Sequence, residues 1–368
     1  GGSFDGEIHC WDVVSLELKW SAERGLGPGL ITQLAFSLDG RLLAIASDLG
    51  LWLRDPAQGT LLATLPHPGP VPGIAWNRDG TLLASGDAAG TVRFWAIHAD
   101  ASAELAMSVQ AHSGVVTAVA FSPAGDRLAS GSWDGAVKVW NVAGGSLHAT
   151  LAQHQNAVQR VTWSGDGRLI AYSVRNEASW LWDVEEQLPR AALRGHTGFV
   201  RGLLFTLDSR ELVSVGEDGS MRVWDAATGA CLRVIHGYSA RVQDLSWGPD
   251  GAQLAVAMSD PTITIHTLDD ALPTMTINGH ITVPDITWSP DGRFIAVRGS
   301  QDLIDLRDAK TGEALESLFY PDDPETQFTS LAWSPDGKCL AAGTATHGVL
   351  LFDIPTRTVQ PLVDGQIH

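Results

Sequence analysis

A turn motif recurs along the whole chain, and its spacing is what most constrains the fold. Asp-Gly, or a close variant such as Ala-Gly or Asp-Ser, follows a short apolar run eight times. The second residues of the motif are 40 to 45 positions apart: Gly40, Gly80, Gly125, Gly167, Ser209, Gly251, Gly292 and Gly337. A period near 42 residues sustained over eight copies indicates a propeller or a solenoid.

Each copy contains four short apolar runs. In the first copy, residues 31–36 precede the turn and residues 41–46 follow it. A third run, such as 137–140, and a fourth, such as 147–151, complete a copy. Runs of about five or six residues bounded by Gly, Pro, Asp and Asn predict strands, and none has the length or spacing of a helix. Four antiparallel strands per repeat form one propeller blade, so we predict an all-β chain.

Two further signals recur at fixed places in the copies. The third run often closes with Trp-Asp or a relative of it, at Trp11, Trp140, Trp182, Trp224 and Phe352. A histidine often stands before the first run, as at His67, His112, His154, His196 and His280. In this combination the sequence resembles the WD40 repeat family over nearly its whole length. The resemblance implies a closed β-propeller that acts as a binding platform for other proteins.

The resemblance also implies a hydrogen-bonded tetrad of His, Ser, Asp and Trp in each blade. Two copies contain the full set: His112, Ser130, Asp134 and Trp140, and His196, Ser214, Asp218 and Trp224. In a core of low dielectric these four groups can satisfy one another's hydrogen bonds. Other copies depart from the set, with Asn176 for Asp, Tyr172 and Val256 for Ser, and His266 and Arg307 for Trp. We expect packing to hold those blades.

The remaining tryptophans of the repeat occupy one place, at the end of the first run. Five copies have tryptophan there and three have phenylalanine: Trp76, Trp163, Trp247, Trp288 and Trp333, with Phe36, Phe121 and Phe205. A large aromatic side chain at the same place in every copy predicts core packing between blades.

The ends of the chain leave the closure of the ring open. Residues 1–22 form a partial repeat whose runs 7–11 and 16–21 correspond to third and fourth strands, and eight complete repeats follow over 30–364, within one domain of residues 1–368. Either 16–21 completes the last of eight blades, leaving one surplus strand at each end, or the N-terminal pair builds a ninth, partial blade. Because an open sheet edge promotes aggregation, the ring must close. We favour eight blades, and the start in mid-repeat suggests a longer native chain.

Charge and cysteine content limit the partners. The net charge of −18 repels nucleic-acid phosphates and anionic membranes, so we expect protein or peptide partners instead. No window approaches the ~18 consecutive apolar residues of a transmembrane helix. Cys10, Cys231 and Cys339 lie far apart without metal-ligand spacing. This pattern favours a reducing compartment, and we expect the chain to be cytoplasmic.

No catalytic motif is recognisable, since Gly-x-Ser-x-Gly, a Gly-rich phosphate loop and His-Glu-x-x-His are all missing from the sequence. About half of the 12 histidines occupy one place per repeat and cannot converge on one ion. Most carboxylates recur at turns, and we interpret the acidic segment 321–325 as a solvated loop. We therefore predict no enzymatic activity, cofactor or metal. The alternative is an enzyme with an active site in the central channel, which would require polar or ionisable residues of the first strands to line the channel. Asp244 and Asp285, at matching places in adjacent repeats, would favour it if they pointed into the channel as a pair and bound a metal there.

Aromatic and arginine side chains in the loops of one rim form a candidate partner-binding face. Trp133 lies between a second and a third strand, on the rim that also carries the loops before the first strands. The other members are Arg160, Phe199, Arg201, Tyr238 and Arg241. Such residues carry much of the binding energy of interfaces, and a basic cluster contrasts with the acidic background. We predict a scaffold or sensor module, joined to an upstream signalling domain in a larger bacterial protein.

Overall fold

A computed structural model shows eight four-stranded antiparallel sheets arranged as an eight-bladed β-propeller, which confirms the predicted all-β fold. The structure describes residues 8–12, 17–22, 30–236, 241–260, 262–267, 273–278, 285–298, 303–319, 327–344, 349–353 and 358–361. Regular elements in these ranges are all strands. Accordingly, the described part has no apolar helix of membrane-spanning length.

The described chain starts with a pair of strands and continues with the blades in sequence order. The pair is β1 (Ile8–Asp12) and β2 (Glu17–Ala22). Blade 1 contains β3 (Ile31–Phe36), β4 (Leu43–Ser47), β5 (Leu51–Arg54) and β6 (Leu61–Leu65). Blade 2 contains β7 (Gly73–Trp76), β8 (Leu82–Gly86), β9 (Thr91–Ile97) and β10 (Ala103–Gln110). Blade 3 contains β11 (Val116–Phe121), β12 (Arg127–Ser132), β13 (Ala136–Asn141) and β14 (Leu147–Gln153). Blade 4 contains β15 (Val158–Trp163), β16 (Leu169–Val174), β17 (Ser179–Asp183) and β18 (Leu188–Leu193).

The second half of the ring repeats this plan. Blade 5 contains β19 (Val200–Phe205), β20 (Glu211–Gly216), β21 (Met221–Asp225) and β22 (Cys231–Ile235). Blade 6 contains β23 (Val242–Trp247), β24 (Gln253–Met258), β25 (Thr262–Thr267) and β26 (Met275–Asn278). Blade 7 contains β27 (Asp285–Trp288), β28 (Phe294–Arg298), β29 (Ile304–Asp308) and β30 (Ala314–Leu318). Blade 8 contains β31 (Phe328–Trp333), β32 (Cys339–Thr344), β33 (Val349–Asp353) and β34 (Thr358–Pro361). The first strand of each blade lies at the channel and the fourth at the outside.

The Asp-Gly motif forms the turn between the first and second strands, as in blade 4. The Ser164 hydroxyl donates a hydrogen bond to the Asp166 carboxylate over 2.5 Å, and the main-chain N–H of Arg168 donates to the same carboxylate over 3.0 Å. Gly167 has a φ of +74°, a conformation that favours glycine. The local sequence therefore sets the point at which each blade folds back on itself.

The core lies between the blades, where each sheet packs against the next. Trp163, Trp288 and Trp333 are buried there, as predicted, while Trp76 and Trp247 are partly buried. In blades 2, 4, 6 and 8 the indole N–H also donates a hydrogen bond to a main-chain carbonyl on the first strand of the preceding blade, over 2.9 to 3.3 Å. These side chains therefore join neighbouring blades by both packing and hydrogen bonding.

The closure of the ring differs from both predicted arrangements. Blade 8 is completed by its own strand β34, and β1 pairs with the outer edge of β34, with β2 beyond it. The strand predicted at 16–21, which the structure describes as Glu17–Ala22, therefore does not complete the last blade, and the described strands form no ninth blade. The physical reason is that β34 already occupies the fourth place, so the N-terminal pair can add only to the free outer edge. Apolar side chains close the ring between blades 8 and 1: Ile31, Leu34, Leu43, Ile45, Ala341, Val349 and Leu351.

Both complete tetrads are hydrogen-bonded inside their blades. In blade 5 the Trp224 indole N–H donates to the Ser214 hydroxyl over 2.8 Å, and Ser214 lies 2.8 Å from Nε2 of His196. Nδ1 of His196 lies 3.0 Å from the Asp218 carboxylate. Burial lowers the pKa of His196, so the imidazole is neutral and the proton on Nδ1 faces the carboxylate. Blade 3 has the same geometry, with distances of 2.9, 2.7 and 3.2 Å.

Blade 2 contains a partial tetrad that the sequence reasoning missed. His67 lies 2.8 Å from the Ser85 hydroxyl, which accepts a hydrogen bond from the Trp95 indole over 2.9 Å. Instead of completing the set, Asp87 pairs with Arg93. The signal was available, because the spacings from His to Ser and from Ser to Trp equal those of the complete sets.

Removing the central hydroxyl of a tetrad should show how much the tetrad contributes to the free energy of unfolding. We expect Ser214→Ala to lower the free energy of unfolding by about 1–3 kcal/mol, because it leaves the Trp224 N–H and Nε2 of His196 buried without partners. Ser173→Ala is a matched control, since the Ser173 hydroxyl is buried and has no hydrogen-bond partner among the described residues. Denaturant unfolding measures both variants, and equal losses would contradict a special role for the tetrad.

Candidate functional site

One rim of the ring is built from two sets of loops that a repeated hydrogen bond holds together. The residue after the second strand donates its main-chain N–H to the carbonyl of the residue before the first strand. The bonds join Trp133 to Val115 over 2.9 Å, Arg175 to Ala157 over 2.8 Å, Glu217 to Phe199 over 2.9 Å and Ser259 to Arg241 over 2.8 Å. Successive blades therefore present equivalent side chains at equivalent places on this rim.

A cavity of about 340 Å³ lies on this rim across blades 3 to 5. Its lining includes four of the six predicted face residues together with one more arginine: Trp133, Arg160, Phe199, Arg201 and Arg175. Trp133 is 61% exposed, which is unusual for so large an aromatic side chain. Arg241 lies at the equivalent place on blade 6 but does not line the cavity. Tyr238 is outside the described residues.

Phe199 is held between two guanidinium groups. The Arg175 guanidinium lies 5.3 Å from the centre of the Phe199 ring, and that of Arg201 lies 6.0 Å away. Both distances suit cation–π attraction, which fixes the ring at the cavity wall. Sequence reasoning missed Arg175, although it stands 42 residues after Trp133, at the same place in the next repeat.

The arginines of the cavity differ in how far their charges are neutralised. Arg201 donates a hydrogen bond from Nε to the Glu217 carboxylate over 2.7 Å, and the two form an ion pair. Arg160 donates to the main-chain carbonyl of Arg201 over 3.3 Å. No ion pair joins Arg160 or Arg175 to a carboxylate of the described part. The cavity therefore combines exposed aromatic surface with uncompensated positive charge.

The central channel is a second concave region, of about 470 Å³, lined by the first strands of seven blades. Asp244 and Asp285 both line it, close enough for the charge of Asp285 to act on Asp244. Asp244 accepts the main-chain N–H of Ile286 over 3.2 Å, and Asp285 lies 3.5 Å from the Arg298 guanidinium. Both aspartates of the catalytic alternative thus line the channel. The described residues contain no group of three or more His, Cys, Asp or Glu side chains placed to hold a metal ion.

Burial in the channel and the neighbouring charge of Asp285 raise the pKa of Asp244 well above its usual value of 3.8. The carboxyl is half-buried, but the channel wall surrounds it and limits the water available to solvate its charge. Asp244 therefore keeps its proton at pH values at which an ordinary aspartate has lost it.

The family model described as WD domain, G-beta repeat matches residues 59–96, 103–141, 187–225, 229–266, 272–302 and 321–353, more than half of the chain. The chain belongs to the WD40 repeat family. The crystal structure of a computationally designed protein, Ika8, is similar with a TM-score of 0.77 at 22% identity. The similarity covers 89% of this chain and 97% of that one, and at this identity it shows the fold alone. No curated protein matches the chain.

The WD40 matches leave out most of blade 4, where other residues form part of the tetrad. His154 lies 3.4 Å from the Tyr172 hydroxyl on one side and 3.0 Å from the Glu177 carboxylate on the other. Tyr172 thus replaces the serine, and Glu177 replaces the aspartate, whereas the Trp182 indole N–H has no hydrogen-bond partner among the described residues. The blade keeps its four strands, and its altered loop contributes Arg175 to the cavity.

Replacing Asp244 should change the dependence of stability on pH. The pKa of this carboxyl is higher in the folded protein than in the unfolded chain, so the folded state binds more protons. The free energy of unfolding therefore falls as pH rises above about 3.8. We expect Asp244→Asn to remove this loss and to stabilise the protein at pH 7, by about 1.4 kcal/mol for each unit of pKa elevation, with little effect near pH 4.

Urea unfolding at a series of pH values checks this expectation, and the difference between variant and parent cancels the general repulsion of an acidic chain. Asp285→Asn is the control within the pair. It removes the same repulsion but also deprives Arg298 of its carboxylate, so it should stabilise less. A difference between Asp244→Asn and the parent that stays constant with pH would contradict a raised pKa at Asp244.

Proposed function

We propose that this WD40 propeller binds partner proteins at the rim cavity of blades 3 to 5. The observation that carries the proposal is the convergence of the exposed Trp133 with Phe199 and its flanking arginines on one cavity. Aromatic and arginine side chains in a preformed depression are the usual anchors of protein interfaces. WD40 domains in general bind other proteins, which supports the proposal at the level of the family.

Rigidity supports the same function. The main-chain bonds between paired loops, such as that from Trp133 to Val115, fix the backbone on both sides of the cavity. The cation–π contacts restrict Phe199 further. Side chains that are ordered before binding lose less conformational entropy when a partner arrives, so a small surface can give a useful affinity.

We further propose that the platform works as a scaffold or sensor in a cytoplasmic signalling protein of a bacterium. The support is compositional: arginine greatly outnumbers lysine, and the three cysteines of the chain lie far apart in the sequence without metal-ligand spacing. Blotting of the native polypeptide from its source cells would show a mass well above 39.2 kDa if the propeller belongs to a larger signalling chain.

A channel enzyme is the second candidate, because Asp244 and Asp285 both line the channel. The rim function and the channel function use different residues, so variants can test them separately. Asp244→Asn with Asp285→Asn would abolish turnover of a channel substrate and leave rim binding intact.

Truncating the two aromatic anchors should weaken partner binding. We expect Trp133→Ala and Phe199→Ala each to lower the affinity for a rim partner about tenfold or more, since buried aromatic anchors contribute roughly 2 kcal/mol or more. The measurement is quantitative affinity capture from source-cell extract, followed by titration with each purified partner.

Leu38→Ala and Leu207→Ala are the controls for this experiment. These leucines are 61% and 67% exposed, and they lie in turns between first and second strands, at the opposite rim. Their replacement should leave every affinity unchanged. If the double replacement of Phe199 and Arg201 by alanine also left all of them unchanged, the rim cavity would not be the partner site.

A further inference from the structure

Arginines in this chain are distributed unevenly between paired and unpaired states. Most of those in the described part form ion pairs with an aspartate or glutamate: Arg41, Arg93, Arg127, Arg168, Arg190, Arg201, Arg210, Arg233, Arg293, Arg298 and Arg307. Five others are exposed and form no ion pair with the described residues: Arg78, Arg160, Arg175, Arg194 and Arg241. Three of these five, Arg160, Arg175 and Arg194, lie on the rim, in blade 4 or in the loop that leaves it.

A second cavity adjoins the first at the same two loops. It has a volume of about 490 Å³ and is lined by Trp180 and Arg194, among others. Its lining continues directly into that of the first cavity, from Asn176 to Arg175 and from Gly198 to Phe199. The two cavities together form a groove, called here the arginine groove, with Trp133, Phe199 and Trp180 as apolar surfaces and the three unpaired arginines as charges.

The acidic side chains at the arginine groove form no ion pair with Arg160, Arg175 or Arg194. Glu217 pairs with Arg201. Glu177, which lines the second cavity, accepts hydrogen bonds from His154 over 3.0 Å and from Asn156 over 2.9 Å. The described part of the chain therefore supplies no carboxylate partner for Arg160 and Arg175 despite a net charge of −18, and an external carboxylate would supply one.

We propose that the arginine groove binds an extended acidic peptide segment of a partner protein that also carries an aromatic or branched apolar anchor. This inference rests on the proposed rim function and names the chemistry of its partner. Guanidinium groups bind carboxylates through paired hydrogen bonds, and they are more weakly hydrated than ammonium groups. The apolar anchor packs on Trp133 and Phe199, and the carboxylates of the segment contact Arg160, Arg175 and Arg194.

The net negative charge of the chain should make the arginine groove more selective for a short acidic segment. At physiological salt, charges act over roughly 8 Å, so an acidic segment is attracted at the groove and repelled by the rest of the acidic surface. A long polyanion would extend over that repulsive surface, whereas a short acidic segment fits within the groove. Affinity should therefore fall when salt is raised, while part of it persists through the apolar anchor.

The test is selection of random peptides from a display library on the whole chain, with resynthesised peptides titrated by fluorescence anisotropy. We expect the selected sequences to be rich in Asp and Glu around an aromatic or branched apolar residue. The double variant Arg160→Glu and Arg175→Glu should weaken their binding about tenfold or more, the loss expected when charged hydrogen bonds are removed. Melting curves check that this double variant and the control variant described next remain folded.

Arg78→Glu is the matched control, because Arg78 is exposed, forms no ion pair with the described residues and lies in a turn of the opposite rim. This substitution changes the net charge by the same amount as each substitution in the groove, and peptide binding should stay within about twofold of the parent. Equal weakening by Arg78→Glu and Arg175→Glu would show a general charge effect and overturn the proposal.

The remaining outcomes separate this inference from the proposed function. Neutral or basic peptides that lose affinity in Phe199→Ala would overturn the acidic segment and leave the rim function standing. Peptides that bind regardless of changes at Phe199 and Arg175 would overturn both. A library that yields no binding peptide would overturn the short-segment proposal, while the capture experiment with Phe199→Ala would still decide the rim function.

Discussion

Each sheet of this ring buries its faces only against the sheets on either side of it, and the rest of the structure depends on that contact. A single four-stranded blade has too little core to be stable alone, so stability arises at the interfaces between blades. The tryptophans at the end of the first strands act at these interfaces, because Trp76 and Trp163 both pack there and bond to the preceding blade. Packing between blades therefore fixes where every loop emerges.

The rim site inherits its geometry from this framework. The tetrad residue His196 precedes a first strand and Asp218 follows a second, so their hydrogen bond ties together the loops that also carry Phe199 and Glu217. In blade 4 the corresponding loops are joined by the contact between His154 and Glu177, and Tyr172 takes the place of the serine. Structural and binding residues are thus neighbours in the chain but separate in function, and substitutions at the rim need not disturb the core.

The repeat was enough to predict eight blades, because turn residues and strand lengths are local properties. The closure was not predictable, since the pairing of β1 with β34 depends on which sheet edge is free, and no local pattern records that. At the site, exposed Trp133 and the cluster around Phe199 followed from repeat register. The pairing of Arg201 with Glu217, and the freedom of Arg175 from such a pair, depend on side-chain positions in three dimensions.

The aromatic residue that ends each first strand has a thermal consequence for the joint with the preceding blade. At the joint between blades 8 and 1 the described cluster includes Ile31, Ile45, Val349 and Leu351, and Phe36, like Phe121 and Phe205, has no N–H to donate to the preceding blade. Apolar attraction weakens in the cold, whereas hydrogen bonds between blades are less affected. On chilling, the joints that contain phenylalanine at this place should therefore loosen before those in which a tryptophan N–H bonds across.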